Sequence, residues 1–124
     1  MAHAALPRQP AVTPMHPAIE QISPHEARAR RDGNPEDVVL LDCRERFELD
    51  RASIVGAVHI PMGEIVARCT ELDPRQEVIV FCHTGLRSMS VTAFLGRQGF
   101  ERVMNMAGGI DAWSRTVDPR VPCY

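Results

Sequence analysis

The sequence contains no lysine, and all 14 of its basic residues are arginines. Without a lysine amine the chain cannot form a Schiff base, and it cannot supply the lysine of a phosphate-binding P-loop. Together with 16 acidic residues, these arginines leave a formal net charge of −2. A mixed charge so close to neutral argues against a dedicated nucleic-acid surface and against a polybasic membrane surface. We therefore expect neither nucleic acid nor membrane among the partners.

Long apolar runs and paired cysteines are also missing. No stretch approaches the roughly 18 apolar residues of a membrane helix, and the N-terminus lacks the charged start and apolar stretch of a secretory signal. Cys43, Cys69, Cys82 and Cys123 are too scattered for a disulfide scaffold or for the paired spacing of a zinc site. This pattern predicts free thiols in a reducing, cytoplasmic compartment. It gives no sign of a zinc site, and we expect the chain to hold no metal and no other cofactor.

The length of 124 residues allows one domain with a substantial core and is too short for two. Four prolines near the start, among alanine, glutamine and threonine, occur without any apolar periodicity. Such a composition is typical of a flexible arm, which we expect over residues 1–18. The folded domain is then expected over residues 19–124.

Strand and helix patterns alternate along that domain. Continuous apolar runs at Val38–Leu41 and Val78–Phe81 are typical of strands buried on both faces. Ser23 followed by Pro24 and Glu26 predicts a helix start, with the helix ending at Gly33. The other predicted strands are 19–22, 57–60 and 102–106, and the other helical segments are 44–51, 63–69, 86–98 and 110–114. This alternation predicts an α/β fold with a parallel sheet covered on both faces.

The loop Cys82–Ser88 carries the strongest chemical signal, since it joins the most apolar strand to a helix. In such sheets ligands bind at the carboxyl ends of the strands, where a loop leads into the N-terminus of a helix. Backbone amides that point into such a loop can bind an anion. Gly85 permits a positive φ, Arg87 adds positive charge, and the helix dipole adds more. Such surroundings lower a cysteine pKa from about 8.5 to roughly 3.5–7.5, which makes the thiolate a nucleophile. The alternative is a buried structural cysteine.

This loop resembles the active-site loop of the rhodanese-like sulfurtransferases. Three other segments resemble family signatures in the same order: Leu41–Glu45, Ile54–Pro61 and Gly108–Trp113. The resemblance covers residues 19–124. It implies a three-layer α/β/α sandwich with a mostly parallel five-stranded sheet and with the Cys82 strand near its centre.

The resemblance also implies sulfur transfer through a persulfide on Cys82. A small anionic sulfur donor such as thiosulfate would load the cysteine, and cyanide or a thiol would then accept the sulfur. A thiol carried by a protein is a further acceptor that the resemblance allows. The substrate-binding residues that it implies are His83, Thr84, Gly85, Leu86, Arg87 and Ser88.

Several neighbours of the loop are expected to support it or to modify its chemistry. Asp42 is expected to accept hydrogen bonds from the loop, and Arg44 is expected to join an ion-pair network that supports it. Cys43 follows a neighbouring strand, so it is either a small buried side chain or a thiol that resolves an oxidised Cys82. The side chain of His83 either tunes charge at the nucleophile or points outward.

Two other functions fit the same architecture. The first is a phosphatase of the cell-cycle type or an arsenate reductase. The phosphatase loop has seven residues from cysteine to arginine, whereas Cys82 to Arg87 is six residues. Those phosphatases also carry histidine before the cysteine, where this chain has Phe81. The second alternative is a sulfur carrier or an interaction module that does not turn over small molecules.

Overall fold

A computed structural model describes residues 18–124. The predicted N-terminal arm, apart from Ala18, lies outside the described residues. The strands are β1 (Gln21–Ile22), β2 (Val38–Asp42), β3 (Val58–His59), β4 (Glu77–Phe81) and β5 (Val103–Met106). The helices are α1 (Pro24–Gly33), α2 (Arg46–Leu49), α3 (Ile65–Arg68), α4 (Arg87–Arg97) and α5 (Gly109–Thr116). Short 3-10 turns at Met62–Glu64 and Cys69–Glu71 flank α3.

All five strands form one parallel sheet in the order β1-β5-β4-β2-β3. The central position of β4 confirms the placement of the Cys82 strand that the family resemblance implied. Strands β2 and β4 are the longest, which agrees with their uninterrupted apolar runs. The predicted α/β fold with a parallel five-stranded sheet is therefore confirmed.

Side chains of β4 alternate between two apolar layers, as the period of a strand requires. Ile79 and Phe81 pack on the face that is covered by α1 and α5. Val78 and Val80 pack on the opposite face, together with residues of α3 and α4. Helices on both faces bury both sides of the sheet, and this arrangement is the three-layer sandwich that the family resemblance implied.

Two local helix signals explain where α1 and α2 begin. The Ser23 hydroxyl accepts the Glu26 amide at 3.1 Å and Pro24 is the first residue of α1, as the sequence predicts. Helix α2 is shorter than the predicted segment 44–51, and a reciprocal cap fixes its start. The Glu45 amide donates to the Glu48 carboxylate at 2.8 Å, and Glu45 in turn caps the first turn of α2.

The carboxyl ends of β2 and β4 lie side by side and position the site. Asp42 is in register with Phe81, and the Cys43 amide donates to the Phe81 carbonyl at 3.0 Å. The next residue after β4 is Cys82, so its loop leaves the sheet beside the residues that follow β2. Among the helices that the structure describes, none combines the length and the apolar character needed to cross a membrane.

Candidate functional site

The Cys82 sulfur lies on the floor of a ring formed by the loop that follows β4. The Gly85 amide donates to the sulfur at 3.1 Å, and the Ser88 hydroxyl donates at 3.3 Å. Burial acts to raise the pKa of Cys82, which is only 1% exposed. Hydrogen bonds from the Ser88 hydroxyl and from the amides of Ser88, Gly85 and Thr84 outweigh burial and hold that pKa below its ordinary value. The ring therefore favours a sulfur anion.

The N-terminus of α5 hydrogen-bonds to two carbonyls of the ring, and this orients the amides of the ring inward. The Ile110 amide donates to the Cys82 carbonyl at 2.9 Å, and the Asp111 amide donates to the His83 carbonyl at 3.0 Å. Gly109 has a φ of 61°, and a Cβ there would lie 2.5 Å from both carbonyl oxygens. Only glycine allows the loop and the helix to approach this closely. Because the carbonyls point toward α5, the amides are left facing the sulfur.

Gly85 provides the turn that closes the ring. Its φ of 101° lies in the region that favours glycine, and a Cβ would come within 3.1 Å of the Gly108 nitrogen. The buried Asn105 side chain on β5 donates to the Gly85 carbonyl at 3.2 Å. This bond fixes the outer side of the loop while the Gly85 amide points to the sulfur.

Arg87 hydrogen-bonds to Glu48, and its positive charge also interacts with the sulfur of Cys82. Its guanidinium makes a bidentate pair with Glu48 of α2, at 2.7 and 2.8 Å. Hydrogen bonds from Arg87 outweigh burial and lower the pKa of Glu48 to about 2. The donors at the sulfur are backbone amides and a hydroxyl, and Arg87 instead ties the C-terminal end of the ring to α2.

The predicted hydrogen bonds from the loop to Asp42 are wrong. Both carboxylate oxygens of Asp42 accept from Arg44, with Nε at 2.9 Å and a terminal nitrogen at 2.7 Å. Arg44 is fully buried and also donates to the carbonyls of Glu48 and Ala52. Asp42 is therefore held against Arg44 at the end of β2, beside the strand that leads into the ring.

The remaining loop residues surround the opening of the ring. His83 is half-buried, and its ring stacks on that of Tyr124 with a centroid separation of 4.0 Å. Thr84 is exposed and contributes its backbone amide, and Leu86 is 75% exposed. The structure thus brings His83 to Ser88 together around one sulfur.

Cys43 has the properties of a buried apolar side chain. It is fully buried and packs in the same apolar layer as Cys82. Burial raises the pKa of the Cys43 thiol to about 12, so the group stays protonated at neutral pH. Within residues 18–124, no three His, Cys, Asp or Glu side chains are grouped as a metal site would require.

Sequence reasoning did not identify Glu48 or Tyr124. One local signal was available for Glu48: a carboxylate three residues after Glu45 fits the capping pattern seen at α2. Neither a motif nor a periodic pattern distinguishes Tyr124, whose contacts depend on the fold.

Comparison with known proteins identifies the family. A model of the rhodanese-like domain matches residues 23–116. A sulfurtransferase of Allochromatium vinosum is 38% identical over 90 residues, which cover 73% of this chain and 84% of that protein. The thiosulfate sulfurtransferase GlpE of Coxiella burnetii is 31% identical over 77 residues, which cover 62% of this chain and 72% of that protein. Some other relatives are much longer than the part that this chain matches.

Solved structures agree with the sequence comparison. The crystal structure of a rhodanese-related protein from Thermoplasma volcanium superposes with a TM-score of 0.70 at 28% identity, covering 85% of this chain and 99% of that one. The matched family region contains β2, β4, the Cys82 ring and α5. The chain therefore belongs to the rhodanese-like domain family and is a relative of the sulfurtransferases in both sequence and fold.

Proposed function

We propose that this chain moves a sulfane sulfur from thiosulfate or a persulfide donor to a thiophilic acceptor through a persulfide on Cys82. The observation that carries the proposal is the ring of donors around the sulfur, with the Gly85 amide at 3.1 Å and the Ser88 hydroxyl at 3.3 Å. A thiolate held by such donors is a nucleophile without a general base.

The reaction has two displacement steps. The Cys82 thiolate attacks the outer sulfur of thiosulfate, the sulfur–sulfur bond of the donor breaks, and sulfite leaves with the electron pair. The product is a Cys82 persulfide anion, whose terminal sulfur can accept hydrogen bonds from the inward-facing amides. Cyanide or an acceptor thiolate then attacks that terminal sulfur, which regenerates the Cys82 thiolate and releases thiocyanate or a new persulfide. No proton and no external electron is needed in either step.

Access to the site favours a narrow reactant. Cys82 is 1% exposed at the floor of its ring, whereas Thr84 and Leu86 at the rim are exposed. The terminal sulfur of a donor has to enter the ring end-on, while the rest of the molecule stays at the rim. This arrangement suits a sulfane sulfur and leaves the rim free to contact a larger thiol.

The spacing from Cys82 to Arg87 argues against phosphate transfer. It is six residues, whereas the phosphatase loop has one residue more. A loop shorter by one residue forms a tighter ring, which suits a single sulfane sulfur better than a tetrahedral phosphoryl group.

The test compares two substrates on the same preparation. We expect thiocyanate release from thiosulfate and cyanide, and no hydrolysis of p-nitrophenyl phosphate. Cys82→Ser should abolish thiocyanate release, and Cys69→Ser, which changes a half-buried thiol in a 3-10 turn, should retain it. Phosphate release without thiocyanate would contradict the proposal, and sulfur loading without turnover would identify a sulfur carrier instead.

A further inference from the structure

We infer that Tyr124 is a positioning residue that clamps both ends of the Cys82 ring, an inference that rests on the proposed function of that ring. It lies beyond residues 23–116, so the family match does not supply its contacts. The side chain is half-buried, and its ring contact with His83 places it beside the loop, although α5 ends at Thr116.

One contact of Tyr124 is with the N-terminal end of the ring. Its aromatic ring lies almost parallel to that of His83, with an angle of 9° between planes and 4.0 Å between centroids. His83 directly follows Cys82, so this stack restricts the residue next to the sulfur. Stacked aromatic pairs add to stability beyond the area that they bury.

The other contact reaches the C-terminal end of the ring through Glu48. The Tyr124 hydroxyl donates to the Glu48 carboxylate at 2.9 Å, and the same carboxylate holds Arg87 at the start of α4. Burial raises the pKa of the Tyr124 hydroxyl, so this donor keeps its proton at neutral pH. One tyrosine thus contacts His83 directly and Arg87 through a single carboxylate.

The anchor behind this clamp is the buried Arg44. A terminal nitrogen of Arg44 donates to the Tyr124 hydroxyl at 2.9 Å, and the guanidinium lies 5.7 Å from the centre of the Tyr124 ring. Arg44 itself is held by Asp42 at the end of β2. The clamp therefore links the ring to β2, an interior strand of the sheet, and not merely to another loop.

Loss of the clamp should act on the sulfur through the ring. The amides of Thr84, Gly85 and Ser88 lower the pKa of Cys82 only while they point inward. A ring that is free at both ends samples conformations in which these donors turn away. The pKa of Cys82 then rises, and its reactivity at neutral pH falls.

The experiment measures the rate of Cys82 alkylation by iodoacetamide against pH, in a background with Cys69→Ser and Cys123→Ser. Tyr124→Leu removes both contacts, and Tyr124→Phe keeps the stack but removes the hydroxyl. We expect Tyr124→Leu to lower the rate at pH 7 by roughly two- to tenfold, the range that a stacked pair supplies, and to move the pH midpoint upward. Tyr124→Phe should fall between the wild type and Tyr124→Leu.

A double-mutant cycle with His83→Ala separates positioning from general stability. If Tyr124 acts through the stack, Tyr124→Leu should have less effect in the His83→Ala background than in the wild type. Arg120→Ala is the matched control, because this exposed side chain in the same tail pairs with Asp118 and should leave the pH profile unchanged.

The experiment distinguishes a failure of the inference from a failure of the proposed function. An unchanged alkylation profile in Tyr124→Leu, or full additivity with His83→Ala, would overturn the inference. A wild type that is alkylated rapidly but takes no sulfur from thiosulfate would overturn the proposed function and leave the clamp standing. Both readouts are made on the same protein, so the two failures can be told apart.

Discussion

Replacing Ser88 with alanine removes the hydroxyl that donates to the Cys82 sulfur at 3.3 Å. Ser88 is fully buried and Cys82 nearly so, so water cannot readily replace the lost donor. A hydrogen bond to a charged group contributes roughly 1.5–3 kcal/mol. Because this bond is long and the charge on sulfur is diffuse, we place its contribution at the low end of that range, about 1.5 kcal/mol. Its loss should shift the ionisation equilibrium of Cys82 roughly tenfold toward the neutral thiol.

The measured rate should fall by less than the ionisation equilibrium does. A thiolate becomes a better nucleophile as its pKa rises, with a Brønsted coefficient of about 0.4–0.5. At a pH below the midpoint, a tenfold loss of thiolate therefore appears as a roughly three- to fourfold loss of alkylation rate. At high pH, where both proteins are fully ionised, the Ser88→Ala protein should react as fast as the wild type or faster.

The assay follows Cys82 alkylation by mass between acidic and alkaline pH, with persulfide loading measured in parallel. Ser114→Ala is a matched control, because this buried serine donates to the Ile110 carbonyl at 2.9 Å. The Ser114→Ala substitution should lower the free energy of unfolding without moving the pH midpoint of Cys82 alkylation. A Ser88→Ala midpoint equal to that of the wild type, or an equal shift in Ser114→Ala, would refute the account of the ring.

Three further changes test the supports of the site. Arg44→Met leaves Asp42 buried without its partner and should cost about 3–5 kcal/mol in urea unfolding; a loss below about 1 kcal/mol would contradict the buried pair. Gly109→Ala should abolish persulfide loading, because its Cβ meets two loop carbonyls at 2.5 Å, whereas Gly56→Ala has a similar φ and open space and should load normally. The pKa of Glu48 is about 2 in the folded chain, against an ordinary value of 4.5. The Glu48 carboxylate therefore adds its full contribution to the free energy of unfolding above pH 4.5, and this contribution is lost as the pH falls toward 2. Unfolding of Glu48→Gln between pH 6 and 3 should depend less on pH than that of the wild type, and equal slopes would count against this assignment.

Much of the fold could be predicted because its signals are local. The apolar runs of β2 and β4 and the cap at Ser23 each lie within a few residues, and the structure agrees with all three. The edge strands β1 and β3 are shorter than predicted. Each has one neighbour in the sheet, so pairing ends where that neighbour diverges, and the sequence carries no sign of that point.

The ring itself could be predicted, since an apolar strand, a cysteine, a glycine and a helix start are consecutive. The distant partners of Arg87 and Arg44 could not. Arg87 meets Glu48 across 39 residues, and Arg44 meets Tyr124 across 80. Such pairs depend on which loops the sheet order brings together, and an arginine can satisfy its charge with any carboxylate that the fold places nearby. The sequence therefore located the sulfur and pointed to Arg44 as a support of the loop, but it did not identify Glu48 or Tyr124.

The most direct measurement of the central claim is the intact mass of the protein after incubation with thiosulfate and removal of the donor. The account predicts a gain of about 32 Da, one sulfur atom, that is lost on adding cyanide or a thiol and that never forms in Cys82→Ser. A wild type that gains no mass, or a Cys82→Ser protein that gains the same mass, would contradict it.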